Sequence, residues 1–320
     1  MKVRTKRDII FVGISVLIYL VGEVLILTGA IPPYLERSIV TVCINIILAA
    51  SLNLINGITG QFSIGHAGFM AVGAYVSAIL TVKFGISFVV AIIAGAAASA
   101  LLGVLIGLPT LRLSGDYLAI ATLGLGEIIR IVILNISYVG GASGLVGIPK
   151  DTTFTWAFAL MVFSLLFIRN FVESSHGRAC IAIRENEIAA EAMGINTTKY
   201  KVLAFALGAG FAGVAGALFV HYNYMAHPGS FTFLRSFDIL TMVVFGGLGS
   251  MTGAVTGAVV LTLLTFFLAD IPELRMVIYS VLLIILMLYR PQGLFGNKEL
   301  SLKMLTRLIG GGRRDAAEGK

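Results

Sequence analysis

Asn56-Gly57-Ile58-Thr59-Gly60-Gln61-Phe62-Ser63-Ile64-Gly65-His66-Ala67-Gly68 interrupts two long apolar runs with glycines, amide side chains and a histidine. A helix crossing lipid keeps its backbone hydrogen bonds internal. An unwound stretch at membrane depth therefore survives only where it is buried in protein or faces a wet cavity. A second stretch, Gly246-Gly247-Leu248-Gly249-Ser250-Met251-Thr252-Gly253, breaks the apolar pattern again. Gly57, Gly60 and Gly68 match Gly246, Gly249 and Gly257 at a constant offset of 189, and Ser63 matches Thr252. Paired glycine-broken segments in the two halves of a chain point to the substrate path of a transporter. An ordinary hairpin turn at the membrane edge is the plainer alternative.

The composition around these breaks excludes most other classes. Of 320 residues, 58% are hydrophobic and 12% charged, about half the ~25% charge of a soluble domain. A soluble fold and intrinsic disorder are both excluded, and two cysteines are too few for a disulfide scaffold. Cys43 lies in an apolar segment and Cys180 in a polar loop, so they are not expected to meet. The expectation is an all-α polytopic membrane protein with two pseudo-equivalent halves and some discontinuous helices. A span needs about 20 apolar residues. Candidate segments are 9–29, 38–55, 64–82, 86–108, 117–136, 155–169, 202–222, 236–248, 252–269 and 274–290. Two of them, 155–169 and 236–248, are short enough to be tilted, re-entrant or half-helices, so about 8–10 transmembrane helices are expected.

Thirty-seven glycines are a marked excess over the usual ~7%. Many fall into two regular ridges, Ala91-Gly95-Ser99-Gly103-Gly107 and Ala204-Gly208-Ala212-Gly216. Small residues every fourth position let another helix backbone approach closely. These ridges read as packing.

The net charge of +7 fits the cytoplasmic excess of Lys and Arg in membrane proteins rather than nucleic-acid binding. Lys2, Arg4, Lys6 and Arg7 precede an apolar run too long for a cleaved signal peptide. With this tail inside, the loop 170–201 and the basic tail 297–320 are also cytoplasmic. Only Arg37, Lys83, Lys150, Arg235 and Arg275 then fall outside, with Arg130 left within a span. The chain divides into a cytoplasmic N-tail 1–8, a transmembrane domain 9–296 containing the cytoplasmic loop, and the tail 297–320.

Ionisable groups within spans are costly and draw a functional reading by default. Glu127 and Arg130 share one face of the fifth span at i,i+3 and can pair. They serve either as a polar wall of a solute path or as a clamp between helices or subunits. Asp116 is placed to cap the fifth span. Candidate path residues are Asn53, Gln61, Ser63, His66, Tyr117, Thr122, Glu127, Arg130, Gly246 and Gly249. For His66, Asn53 and Gln61 a purely structural hydrogen-bonding role stays open.

The cytoplasmic loop centres on Arg184-Glu185-Asn186-Glu187-Ile188-Ala189-Ala190-Glu191-Ala192-Met193-Gly194. Its composition favours a short helix, Gly194 is a good stop, and Asn196, Thr197 or Thr198 can cap the next helix. Glu187 and Glu191 fall on one face, with Ile188, Ala192 and Met193 beside them. Such a helix suits docking into a groove of another protein. Its acidic residues argue against lying on an anionic leaflet.

At this loop the chain resembles the permease subunits of ABC importers for branched-chain amino acids, of the LivM type. The likeness is carried by Leu52-Asn53-Leu54 through Gly68, by Gly115-Asp116-Tyr117-Leu118-Ala119-Ile120-Ala121-Thr122-Leu123, by Arg184–Gly194, and by Gly246–Ser250 with Arg290-Pro291-Gln292-Gly293-Leu294. The resemblance implies a fold of about ten helices. It implies that the loop is a coupling helix docking on an ATPase, with Arg184, Glu185, Glu187, Ala190, Glu191 and Gly194 as coupling residues. Ala189 and Ala190 are not directly preceded by Glu, so the family's motif is matched loosely. The implied partners are a second permease of the LivH type, two cytoplasmic ABC ATPases, an extracytoplasmic substrate-binding protein and the lipid bilayer, with no cofactor. No G-x-x-x-x-G-K-[ST] occurs, so the chain does not cradle ATP phosphates itself. Permeases for urea, short amides or a sugar in the same family, and a gradient-driven secondary transporter, are the alternatives. A membrane enzyme is disfavoured because no catalytic motif is seen.

Overall fold

The computed structural model describes residues 2–29, 31–110, 113, 115–268 and the scattered positions 277, 278, 281, 284, 288, 289, 293 and 294, with side chains from residue 11 onward. The tenth expected span, 274–290, falls largely outside the described residues, and the tail 297–320 wholly so.

Within them the chain is helical, as its composition requires. The helices are α1 (Lys2–Leu27), α2 (Pro33–Asn53), α3 (His66–Phe84), α4 (Phe88–Thr110), α5 (Asp116–Asn135), α6 (Phe154–Glu173), α7 (Ser175–Glu185), α8 (Glu187–Ala192), α9 (Thr197–Asn223), α10 (Phe233–Gly246) and α11 (Met251–Phe267). Among the described residues, six helices are long and apolar enough to cross a membrane, counting α2 through the turn that follows it, and α1 and α11 contribute shorter apolar stretches. The protein is a multi-pass membrane protein. A two-residue antiparallel pairing, β1 (Leu145–Val146) with β2 (Met225–Ala226), joins two loops. The expected short span at 155–169 is a full helix: α6 runs on to Glu173, which pairs with Arg169 at 3.4 Å one turn earlier. The other short span stays short, since α10 has 14 residues. Asp116 does not cap α5; Gly115 takes the cap position at φ +59° and no side chain accepts there. Asp116 is left as a first-turn charge favouring the helix dipole.

The core is built by glycine. On α4, Ala91, Gly95, Ser99, Gly103 and Gly107 are all buried, while Val90, Ile93, Leu101 and Leu105 face outward. The α9 ridge Ala204, Gly208, Ala212 and Gly216 is buried too, and it meets α2 and α3. There Gly208 abuts Ile55 and Ser51, and Gly216 lies on the Met70 carbonyl. Gly213 on the next face meets Ser99 and Gly95 of α4, and Gly73 of α3 lies against Gly213 itself. The three helices therefore approach at backbone distance, where dispersion contacts are dense. Ser99 Oγ donates to the Phe69 carbonyl at 2.9 Å and fastens α4 to α3.

Many hydroxyls along the helices are returned to their own backbone. Ser15, Thr41, Thr110, Ser164, Thr241 and Thr265 each donate to the carbonyl four residues earlier. That is the usual way to carry a hydroxyl through lipid without an unpaired donor.

Loops gather at two ends. At one lie α7, α8 and both glycine breaks. At the other lie the β1–β2 pairing, the Arg37–Asn223 hydrogen bond and Lys83 over the Tyr138 ring.

Candidate functional site

The two breaks meet. After α2 the chain makes one π-helical turn, Leu54–Ile58, and then runs without regular structure until α3 begins at His66. After α10 it turns through Gly247 and Gly249 into α11. Gly60 and Gly249, equivalent at the 189-residue offset, are both left-handed, with φ +74° and +87°. A side chain is strained there. Asn53, the last residue of α2, bridges the breaks. Its Oδ1 accepts from Gly249 N at 2.8 Å and its Nδ2 donates to the Ser250 carbonyl at 3.1 Å. A Cβ on Gly57 would overlap the Gly249 amide. The remaining equivalent glycines differ: Gly246 and Gly257 let α10 and α11 cross closely, whereas Gly68 faces Gly126 of α5.

The loop between α2 and α3 is held by its own polar groups. Asn56 donates to the Ser63 carbonyl at 3.1 Å and accepts the Ser63 amide at 3.2 Å. Thr122 accepts the Ile64 amide at 3.1 Å, and Ser236 of α10 accepts the Ala67 amide at 3.0 Å. His66 Nε2 shares a hydrogen bond of 2.8 Å with Ser51 Oγ. Gln61 Oε1, Ser63 Oγ and His66 Nδ1 are buried with no partner among the described residues. The segment is thus a polar island at that end of an apolar bundle.

The α7–α8 elbow docks on this island. Arg184 Nη1 donates to the Gly57 carbonyl at 2.8 Å, and its Nε and Nη2 hold Glu185 Oε1 at 3.1 and 2.6 Å. Gln61 Nε2 donates to the Lys201 carbonyl at 3.2 Å. Asn186 caps α8 by accepting from the Ala189 amide, and Asn196 caps α9 through the Lys199 amide. Gly194, at φ +82°, ends α8 as expected. Its amide bonds to Glu191 O and that of Ile195 to Ala190 O, the paired pattern of a left-handed helix stop.

The faces of α8 differ from the simplest reading of its sequence. Glu187 and Glu191 do not form a free acidic face. Glu187 pairs with Lys201 at 2.5 Å, and Glu191 accepts from Thr197 Oγ1 at 2.6 Å. Both carboxylates turn back onto the start of α9, whose polar groups lie a few residues on in sequence. Ala190 is buried at 4% exposure, whereas Ile188 and Met193 are exposed at 81% and 83%. Two apolar side chains, Ile188 and Met193, are therefore offered outward beside carboxylates that are already partnered.

The remaining candidates lie on α5. Glu127 and Arg130 pair at 2.7 Å, both partly exposed. The other Glu127 oxygen accepts the Phe233 amide at 2.8 Å, at the start of α10. Tyr117 lies away from the breaks, 74% exposed. Sequence reasoning passed over Ser51, Asn56, Lys201, Phe233 and Ser236. Only Asn56 carried a local signal, as the Asn-Gly turn pair before Ile58. Among the described residues no cluster of three or more His, Cys, Asp or Glu is placed to hold a metal.

Comparison with known proteins adds to this geometry. Residues 34–287 match the family described as branched-chain amino acid transport system / permease component. The chain is 36% identical over 296 residues to the high-affinity branched-chain amino acid transport system permease protein LivM of Salmonella typhimurium, covering 82% of this chain and 70% of that protein. Against LivM of Escherichia coli the identity is 36% over 320 residues, covering 88% and 75%. It is also 34% identical over 147 residues to the permease protein LivH of Salmonella typhimurium, covering 45% of this chain and 46% of that one.

Proposed function

The chain belongs to the permease family of branched-chain amino acid transport systems, and we propose that it is a membrane-spanning, non-catalytic subunit of an ATP-binding-cassette importer for branched-chain amino acids. The observation that carries the coupling part of this reading is α8. It is a six-residue helix capped at both ends, pinned to its own chain by Glu187 and Glu191, and it presents Ile188 and Met193 outward. A rigid knob of this kind fits a groove on a partner that pulls or pushes it.

In this reading α7–α8 and both termini lie in the cytoplasm of a prokaryotic cell, the chain sits in its inner or plasma membrane, and each of two ATPases binds one permease. The domain boundaries follow: 1–8 and 297–320 are cytoplasmic tails and 9–296 is the permease domain. The opposite end, with Lys83, Lys150 and the β1–β2 pairing, receives the substrate-binding protein. The exposed faces of α5 and α10 carry Ile120, Ile128, Val132, Phe233 and Phe237 around the Glu127–Arg130 pair. An ion pair is costly against lipid. This face is therefore assigned to the second permease, of the LivH type, with the solute path between the two. Binding of ATP closes the ATPases, α8 moves as a rigid unit, and the helices reorient so that the path opens alternately to each side.

The test is leucine uptake by proteoliposomes holding both permeases and the ATPases, with binding protein outside and ATP inside. Uptake that needs ATP and survives a proton ionophore supports the reading. Uptake that collapses with the ionophore, or proceeds without ATP, overturns it in favour of a gradient-driven carrier. Replacing Ile188 and Met193 with Asp is expected to abolish binding-protein-stimulated ATP hydrolysis. Normal stimulation in that variant removes α8 from the coupling role.

A further inference from the structure

We infer that Arg184 and Asn53 are positioning residues of the transport step: in series, they deliver the movement of α8 to both broken helices at once, and neither contacts the ATPase or the solute. This rests on the coupling role proposed for α8.

Arg184 is the penultimate residue of α7, two before the Asn186 that caps α8. Its guanidinium plane is fixed by two hydrogen bonds to Glu185 Oε1, and its third donor reaches the Gly57 carbonyl at 2.8 Å. Gly60 lies alongside, where an added Cβ would come within 2.8 Å of Arg184 Cγ. The carbonyl it grips belongs to the π-helical turn, a wide turn in which the regular hydrogen-bond register has already been given up. Such a turn shifts more easily than a continuous helix. On the far side of the same residue, the Gly57 backbone lies against Gly249.

Asn53, 1% exposed, completes the link. It holds an amide and a carbonyl of the second break through one side chain. The carbonyl belongs to Ser250, which caps α11 by accepting from the Gly253 amide at 3.0 Å. Displacement of α7–α8 thus reaches the end of α2, the end of α10 and the start of α11 through two side chains and backbone atoms. The chemistry is specific. An aspartate in place of Asn53 keeps the acceptor for Gly249 N but loses the donor to Ser250 O. A lysine in place of Arg184 cannot hold Glu185 and the Gly57 carbonyl together in a fixed plane.

The experiment uses the complete importer in proteoliposomes and reads two quantities: binding-protein-stimulated ATP hydrolysis and leucine taken up per ATP hydrolysed. Asn53→Asp and Arg184→Lys are expected to retain stimulated hydrolysis and to lower uptake per ATP by about tenfold, the effect of one lost charge-assisted or buried hydrogen bond in the state to be reached. The double variant should lose no more than either single one, because the two act in series. Unchanged uptake per ATP, or losses that multiply, overturns the inference. A measurement on the unmodified complex stands independently of any variant. Cys180 lies on α7 one turn before Arg184, buried against the Tyr200 carbonyl of α9 and the Thr59 side chain of the first break. With α7 and the break moving as one body, it stays protected from maleimide during turnover, read by peptide mass mapping. Labelling under ATP at the rate of an exposed cysteine means that α7 parts from the break, which overturns the link. Failure of the α8 docking reading has a different signature, since the Ile188 and Met193 variants then keep stimulated hydrolysis.

Discussion

One oxygen of Glu127 accepts the Phe233 amide at 2.8 Å while the other holds Arg130 at 2.7 Å. A single carboxylate on α5 therefore satisfies an orphan amide at the start of α10 and neutralises a cation within the span. Glu127→Gln is expected to lower stability by about 1–3 kcal/mol, because it strands Arg130 as an unpaired charge. Adding Arg130→Met should recover much of that loss. Thermal unfolding of the purified complex in nanodiscs reads both. Strictly additive losses in the double variant show that the two residues do not act as a pair.

Gly73→Val places a branched side chain where the Gly213 backbone already lies. Helices α3 and α9 must separate, and overpacking of this kind costs about 1–3 kcal/mol or more. Gly124→Ala on α5 has open space around it and is the matched control. Detergent-solubilised yield and melting temperature should fall for Gly73→Val alone.

Gly194 has nothing within reach of an added Cβ, so only its φ of +82° resists substitution. Gly194→Val should cost about 1–2 kcal/mol, whereas Gly194→Asn, which tolerates the left-handed region, should cost less. Stimulated ATP hydrolysis is expected to fall in the same order, because the stop fixes how α8 stands on the bundle. An equal response from the two variants counts against a conformational role.

Burial pushes the Cys180 thiol from its usual 9.0 up to about 11. The native state thus holds the proton more tightly than the unfolded chain, and the stability this contributes is lost as pH rises from about 9 toward 11. Between those values the melting temperature of the wild type should drop more steeply than that of Cys180→Ala. Parallel curves place the thiol in contact with water.

Much of this architecture is written in local pattern. The four-residue spacing on α4 names the face it buries, because a helix turn brings i and i+4 together whatever lies opposite. The end of α8 at Gly194 and the cap at Asn196 are legible for the same reason, since each depends on a few adjacent residues. Span 155–169 reads short because Arg169, Asn170 and Glu173 depress its hydropathy, yet the Arg169–Glu173 pair carries the helix onward. The bridging role of Asn53 is not readable locally, since its partners Gly249 and Ser250 stand almost two hundred residues away. Nor is the inward turn of Glu187 and Glu191, which depends on how α9 folds back to present Lys201 and Thr197.

The serine and threonine hydroxyls that bond to their own helix four residues back have a meaning for how the bundle comes together. Each such donor is satisfied within its own helix, so Thr41, Thr110 and Thr241 ask nothing of a neighbour. The helices that carry them are self-sufficient in lipid before any partner arrives, and their assembly is left to shape rather than to polar need.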